Sequence, residues 1–337
     1  MAHDWLLVET LGDEPVVVAQ GRQLKNMVPL SAFLRRSPHL AAITDAVAQT
    51  VRTGTGLSRA VPNTDRVVRT EPVTMSDGVV HGVQLWTGPA AVDIPERPVP
   101  GPLVWDLTTG MATDTPQSLS NSGMDPAVEP THGRTFAEDL PRKELVPNET
   151  KVLSLAINCD PGERICSMWD VTDQRGNLIS VGFVARADLE TTPDGSRHMI
   201  SRAMNWRGDR QGPAVASDYL GQRILAGLAQ PGIHRALVDI NNWTLLKWLD
   251  DPCPYYDWRQ PGDEVVHPGD EPLTKAMTAE FVDGPTSRVL RLKGKNGGWV
   301  RIHVTVNRIQ LDAKTIAGLI SLRPPTPAEL VDAELTS

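Results

Sequence analysis

Phe and Tyr are scarce in this chain, with 4 and 3 copies, and all aromatics together make up only 5% of it. Cysteine is as rare: Cys159, Cys166 and Cys253 are the three present. So small and odd a set excludes a disulfide-stapled scaffold and fits a reducing compartment. No apolar run approaches the roughly 20 residues that span a bilayer. The opening residues, Met-Ala-His-Asp-Trp-Leu-Leu-Val-Glu, carry acid where a secretory signal carries base. The expected location is therefore the cytoplasm. A basic excess is lacking too, since the net charge is −8. The longest basic cluster, Arg288–Lys295, alternates with apolar residues and reads as the solvent face of a strand. Neither a nucleic acid nor a membrane is an expected partner.

What the chain does have is tryptophan. Trp5 and Trp86, then Trp105, Trp169 and Trp206, then Trp243, Trp248, Trp258 and Trp299 give each third large side chains for a core of its own. One core rarely grows to 337 residues, so two or three domains are expected. Ala91–Pro102 holds four prolines in twelve residues and reads as an extended, semi-rigid connector. A second seam lies near Arg207–Pro213. The expected division is a first domain over 1–92, a second over 101–210, and a third with its connecting helix over 214–325. A flexible acidic tail over 326–337 completes it.

In the first segment, strands are expected at Trp5–Leu11, Pro15–Ala19, Leu57–Val61, Arg66–Met75 and Val79–Trp86. Helices are expected at Leu30–Arg36 and His39–Arg52, the second with Leu40, Ile43, Ala46, Val47 and Val51 on one face. Ser76-Asp77-Gly78 suits a hairpin turn, because Asp-Gly tolerates positive φ. In the middle, Leu103–Leu107, Val152–Ile157, Arg164–Val171, Leu178–Ala185 and His198–Trp206 read as strands. Ser118–Thr131 reads as a long loop and Arg134–Leu140 as a short helix. Trp105-Asp106-Leu107-Thr108 is echoed in Trp169-Asp170-Val171-Thr172, a match short enough to arise by chance.

Val215–Ala229 has helical spacing and stops at Pro231-Gly232. It suits either a dimerising helix or an intramolecular strut. Gly221 and Gly227, each costing about 1 kcal/mol against Ala, favour the packed strut. The last segment reads as strands Arg235–Ile240 and Thr244–Leu249, helix Glu271–Val282, and strands Ser287–Leu292, Trp299–Ile309 and Ile316–Leu322. Lys295-Asn296-Gly297-Gly298 forms a hairpin turn. The fold class is α+β: three small domains, each an antiparallel sheet with flanking helices.

Specific residues in the last segment carry a resemblance. His267-Pro268-Gly269-Asp270 precedes the long helix, Gly284 follows it, and Arg288-Val289-Leu290-Arg291-Leu292-Lys293 leads through Asn296-Gly297-Gly298 to Trp299-Val300-Arg301. This resembles a PAS domain, with its His-Pro-x-Asp turn, connecting helix, Arg-rich strand and aromatic-led strand. The whole chain resembles actinobacterial sensor-only proteins that join PAS and GAF domains without an effector. On that resemblance the first domain is PAS-like and the second GAF-like or PAS-like. It implies signal integration or scaffolding with no catalytic residues. The expected partners are a protein and a small molecule, with a homodimer left open.

Patterns that carry chemistry are few. Cys159 and Cys166 have six residues between them and no nearby His, too wide for a zinc pair. Buried, inert thiols explain them. Cys253 lies in Asp-Asp-Pro-Cys-Pro, where carboxylates would raise its pKa. No G-x-S-x-G elbow, Walker spacing or H-E-x-x-H pair occurs. No metal or cofactor is expected, and the chain reads as a non-enzyme. His267 and Asp270 suit a structural lead-in to the helix instead of a haem ligand. Trp243, Trp248, Tyr255, Tyr256 and Trp258 gather on the helical side of the last domain. They either line a ligand cavity or fill the core. An enzyme with an unrecognised site and a purely structural adaptor are the competing readings.

Overall fold

A computed structural model of the chain describes residues 4–140, 146, 148–209, 220–260, 262–281 and 283–335. The first domain runs β1 (Leu6–Glu9), β2 (Val16–Gln20), β3 (Gln23–Pro29), α1 (Leu30–Phe33), α2 (Leu40–Thr53), β4 (Leu57–Ala60), β5 (Arg66–Thr74) and β6 (Val80–Pro89). The second runs β7 (Gly101–Asp106), β8 (Met111–Thr113), α3 (Pro116–Asn121), β9 (Arg134–Thr135), α4 (Phe136–Asp139), α5 (Glu149–Ile157), β10 (Arg164–Thr172), β11 (Leu178–Thr191) and β12 (Arg197–Arg207). The third runs α6 (Leu220–Gly227), β13 (His234–Val238), β14 (Leu245–Trp248), α7 (Gly262–Val265), a 3-10 turn (Pro268–Asp270), α8 (Glu271–Glu280), β15 (Thr286–Lys293), β16 (Trp299–Gln310), β17 (Ile316–Arg323) and α9 (Pro327–Leu335).

These strands make three antiparallel sheets, ordered β3-β2-β1-β6-β5-β4, β10-β11-β12-β7-β8-β9 and β14-β13-β17-β16-β15. In each, the domain's first strand lies between its second and its last, so one winding occurs three times. Helices sit on the connection between the early and late strands, where they can cover one sheet face. In the first domain α2 does this: Ile43, Ala46 and Val47 pack on Val8, Val17, Val68, Val83 and Leu85. Gly54 closes the helix in the left-handed region at φ 62° and donates to Thr50 O.

The opposite face of that sheet is not left to solvent. Leu7, Val16 and Val18 pack on Val184, Met204 and Trp206 of the second domain. Burial on both faces explains why β1 and β2 are nearly unbroken apolar runs instead of alternating ones. Polar pins flank this seam. Arg186 Nε donates to Glu9 Oε1 at 3.2 Å, and Arg202 reaches both Asp77 and Glu190 at 2.7 Å. His81 Nδ1 lies 2.8 Å from Ala203 O, so that nitrogen carries the proton. The connector lies along the first domain, with Trp5 Nε1 donating to Pro95 O at 3.0 Å and Gln84 to Pro98 O.

The second and third domains interlock. Leu237 and Leu246 of the third sheet belong to the core built by Trp105, Phe136, Leu153 and Phe183. In return, Ala137 of α4 is buried in the core formed by Trp248, Trp258, Met277 and Ile302.

Several sequence expectations are corrected. Val152–Ile157 is not a strand but the last part of α5. Short apolar runs do not distinguish the two, and here Glu149, Val152 and Leu153, at helical spacing, turn inward. The expected loop after Ser118 begins inside α3, which Thr115 caps by accepting from Ser118 N. Arg134 and Thr135 are strand, and the helix starts at Phe136. Within the stretch 326–337, residues Pro327–Leu335 form α9, whose Glu329 takes two bonds from Arg323, at 2.6 and 2.9 Å, and 336–337 lie outside the described residues. Of the expected helix Val215–Ala229, residues 215–219 lie outside the described residues, as do 210–213 of the second seam.

Candidate functional site

Alternate residues of a strand share a face, and four strands of the second sheet use this to build one floor. Leu103 and Trp105 of β7, Trp169 and Val171 of β10, Val181 and Phe183 of β11, and Ala203 and Asn205 of β12 line a cavity of about 430 Å3. Leu103 pairs directly with Ala203, Phe183 with Asn205, and Trp169 with Val181, so the floor is continuous. The Trp169 and Phe183 rings meet edge-on at 4.6 Å. The rest of the lining comes from Ser122, Gly123, Met124, Glu129, Arg134, Glu138, Asp139 and Leu140, with Thr172, Asp173 and Gln174. Gly123 has φ 82°, and a Cβ there would stand 2.7 Å from Asp173 Cβ, so this corner of the lining requires glycine.

A buried charge cluster forms one wall. Arg134 is 1% exposed. Its Nη1 donates to Asp114 Oδ2 at 2.5 Å and lies 2.8 Å from Asp139 Oδ1, and its Nη2 reaches Met124 Sδ at 3.2 Å. Trp105 Nε1 donates to Asp139 Oδ2 at 2.6 Å. Asp139 Oδ1 is thus held by the ion pair with Arg134, while Arg134 Nε makes no hydrogen bond despite its burial. Two carboxylates thus share one guanidinium. Burial first, and then the charge of Asp114, push the Asp139 carboxyl up to about 7, against the pull of Arg134 and Trp105. A carboxyl poised there can accept a bond, hold a proton or pair with a cation.

The same short helix faces the third domain. Glu138 Oε2 accepts from Thr135 N at 3.0 Å, and its Oε1 accepts from Arg259 Nε at 2.9 Å. The Arg259 guanidinium lies 4.9 Å from the centre of the Trp258 ring, which meets Trp248 edge-on at 5.9 Å.

The aromatic set singled out in the sequence sits elsewhere. Trp248, Tyr256 and Trp258 are buried, Trp243 packs against them, and Tyr255 is exposed. The space beside Trp243, Tyr256 and Trp258 is about 30 Å3, room for about two waters. A larger space, of about 430 Å3, lies in the second domain. His267 and Asp270 lie at the two ends of the turn that precedes α8. His267 Nδ1 accepts from Gly269 N at 2.9 Å. Asp270 accepts from Arg291 N at 2.6 Å and Arg291 Nε at 2.9 Å, tying the start of α8 to β15. Burial pushes the thiols of Cys159 and Cys166 up to about 11 and about 12, far from a reactive thiolate.

Arg134 on β9, Asp139 on α4 and Asp114 just after β8 were not legible as a group. One signal was available. The echoed Trp105-Asp106 and Trp169-Asp170 place their indoles in the same cavity. A further space of about 640 Å3 lies beside α6, but its Asp250 is taken by Arg235 at 2.7 Å and its Lys247 by Glu149. Among the described residues no three of His, Cys, Asp and Glu gather as metal ligands, and no helix is long and apolar enough to cross a membrane.

No curated protein matches the chain. Among solved structures, an uncharacterized protein from Mycobacterium tuberculosis is similar at 56% identity over 99% of both chains, with a TM-score of 0.91. An RNA-binding light-oxygen-voltage receptor is matched at 8% identity over 70% of this chain and 98% of that one, with a TM-score of 0.26. The DhaR(N)-DhaL complex of E. coli is matched at 11% identity over 61% and 79%, with a TM-score of 0.21. Likeness that weak carries no argument. Family profiles match residues 4–96 as the Rv3651-like N-terminal domain, 99–208 as the Rv3651-like middle domain and 218–333 as the Rv3651-like C-terminal domain, and the chain belongs to this family.

Proposed function

We propose that the chain is a non-enzymatic sensor and scaffold that holds a small ligand in the middle-domain cavity and passes its presence to the C-terminal domain. The observation that carries this is the double duty of α4. Asp139 and Glu138 line the cavity, while Ala137 is buried in the C-terminal core and Glu138 is bonded to Arg259. A ligand that moves this four-residue helix must disturb both cores, because packed cores resist gradual deformation. The cavity size falls within the range of small-molecule sites, and its aromatic floor with a few polar groups fits their usual make-up. The His267–Asp270 turn supports a PAS-like C-terminal domain, and the shared winding supports sensor modules in series.

The test is thermal denaturation of the full chain across a broad metabolite library, followed by hydrogen exchange on the best compound. A ligand at a hundredfold its Kd stabilises the fold by about 2.7 kcal/mol. Protection at both α4 and Trp258 is the expected result. A library without a single stabilising compound would leave the structural adaptor as the better reading.

A second reading draws on Asp139 itself. A buried carboxyl with a pKa near neutrality, lining a cavity, suits general acid–base work. Turnover of a bound compound that is lost in Asp139→Asn supports the enzyme and displaces the sensor.

A further inference from the structure

We propose that the ligand of the middle-domain cavity is an amphipathic organic cation, with its ammonium group beside Asp139 and its apolar body against Trp105, Trp169 and Phe183. This rests on the sensor reading above and specifies the ligand.

Charge is the first argument. Among the described residues, Glu129, Glu138, Asp139 and Asp173 line the cavity against Arg134 alone. That guanidinium is already shared by Asp114 and Asp139. Arg259 is likewise engaged by Glu138, so an anionic ligand would meet the carboxylates of Glu129 and Asp173 and find both guanidinium groups already paired. The second argument is the imbalance at Arg134, where one guanidinium serves two buried carboxylates, Asp114 and Asp139. A neutral apolar ligand leaves that imbalance in place. An ammonium group beside Asp139 supplies the second positive charge. The third is the floor, where three aromatic rings offer faces and edges to an apolar body, and ring faces attract cations.

The protonation of Asp139 fits this picture. Arg134 on β9, Asp114 after β8, the indole of Trp105 on β7 and Glu138 on its own helix face it, and Arg259 reaches Glu138 from the C-terminal domain. This set pushes the Asp139 carboxyl up to about 7, where it shares its time between protonated and ionised forms near neutrality. A bound ammonium takes the place of that proton. Cation affinity therefore rises as the pH climbs from 6 to 8 and Asp139 ionises.

The experiment is calorimetric titration of the full chain with three compounds that share one body: 2-phenylethylamine, 2-phenylethanol and phenylacetate. The amine is expected to bind at least about tenfold more tightly than the alcohol at pH 8, with phenylacetate weakest. Its affinity should fall at pH 6, while that of the alcohol stays level. Asp139→Asn keeps an acceptor for Trp105 and should erase the preference for the amine without weakening the alcohol. Trp169→Leu, which leaves every charge in place, should weaken amine and alcohol alike. Equal or tighter binding of the alcohol or the acid overturns the inference, and so does an amine preference that survives Asp139→Asn. If none of the three binds but a neutral or anionic metabolite stabilises the chain through this cavity, the cation is wrong and the sensor stands. If no compound of any charge does, both fall.

Discussion

Lys247 on β14 and Glu149 at the start of α5 form an ion pair closed off from solvent, with side chains only 2% and 8% exposed. It joins the middle and C-terminal domains at the seam where Leu246 enters the neighbouring core. Taking two charges out of water costs nearly as much as their attraction returns, so the pair is worth little against a well-packed apolar replacement. Losing one partner is different, because the other stays buried and uncompensated. Lys247→Met alone is expected to cost about 3–5 kcal/mol, and Glu149→Leu with Lys247→Met to restore most of it. Urea denaturation of the two single variants and the double variant measures this. A silent Lys247→Met would mean that water reaches the seam.

Two buried groups pull the pH dependence of stability in opposite directions. Asp139 rises from an ordinary 3.8 to about 7 in the folded chain. Between those values the native protein keeps a proton that the unfolded chain gives up, so stability falls as pH rises from 4 to 7. His81 drops from an ordinary 6.5 to about 4, chiefly by burial. Between those values the unfolded chain binds a proton that the native protein refuses, so this contribution rises with pH, by roughly 3 kcal/mol in all. Each masks the other. Asp139→Asn should uncover a steep gain from pH 4 to 6.5. His81→Asn, which can still donate to Ala203 O, should uncover the loss. Denaturation midpoints at four pH values from 4.5 to 7.5 decide it. Parallel curves for both variants and the parent would refute the assignment.

The bonds of Asp270 to Arg291 make the turn before α8 a latch on β15. Burial alone would raise the Asp270 pKa, but the Arg291 bonds outweigh it and hold the carboxyl below its ordinary value. Its contribution is therefore present above pH 4 and lost as pH falls further. Asp270→Asn is expected to cost about 1–3 kcal/mol at neutral pH, since a bond to a charged group is exchanged for a weaker one. Hydrogen exchange should show α8 opening more readily in the variant. Unchanged protection at Leu273 to Met277 would show the latch to be idle.

Much of this fold was legible because its signals are local. Asp77-Gly78 and Gly297-Gly298 announce their hairpins, and α2 shows its face through Ile43, Ala46 and Val47. Where burial comes from another domain, local pattern fails. The apolar run of α5 resembles a strand because Glu149 turns inward only to meet Lys247, 98 residues away. The site was hidden for that reason too. Its floor is drawn from four strands between Leu103 and Asn205, and Asp139 acquires its character only when the fold brings Arg134, Asp114 and Trp105 against it. The tryptophans of the C-terminal domain cluster in sequence, and Trp248 and Trp258 are buried together in its core.

Arg259 offers a way to separate holding a ligand from reporting it. Its side chain is half-exposed, bonded to Glu138 on one side and stacked over Trp258 on the other. A partly exposed pair of this kind is worth about 0–1 kcal/mol, and Glu138 keeps its bond from Thr135 N when Arg259 is removed. Arg259→Ala should therefore leave the melting temperature nearly unchanged. It should also leave ligand affinity nearly unchanged, because Asp139 and the aromatic floor are untouched. What should fall is the ligand-induced protection of Trp248 and Trp258 in hydrogen exchange, since the direct link from α4 to that core is cut. If the protection persists in full, the signal travels through Ala137 and the shared apolar packing instead, and Ala137→Gly, which removes the buried methyl, becomes the variant that should abolish it.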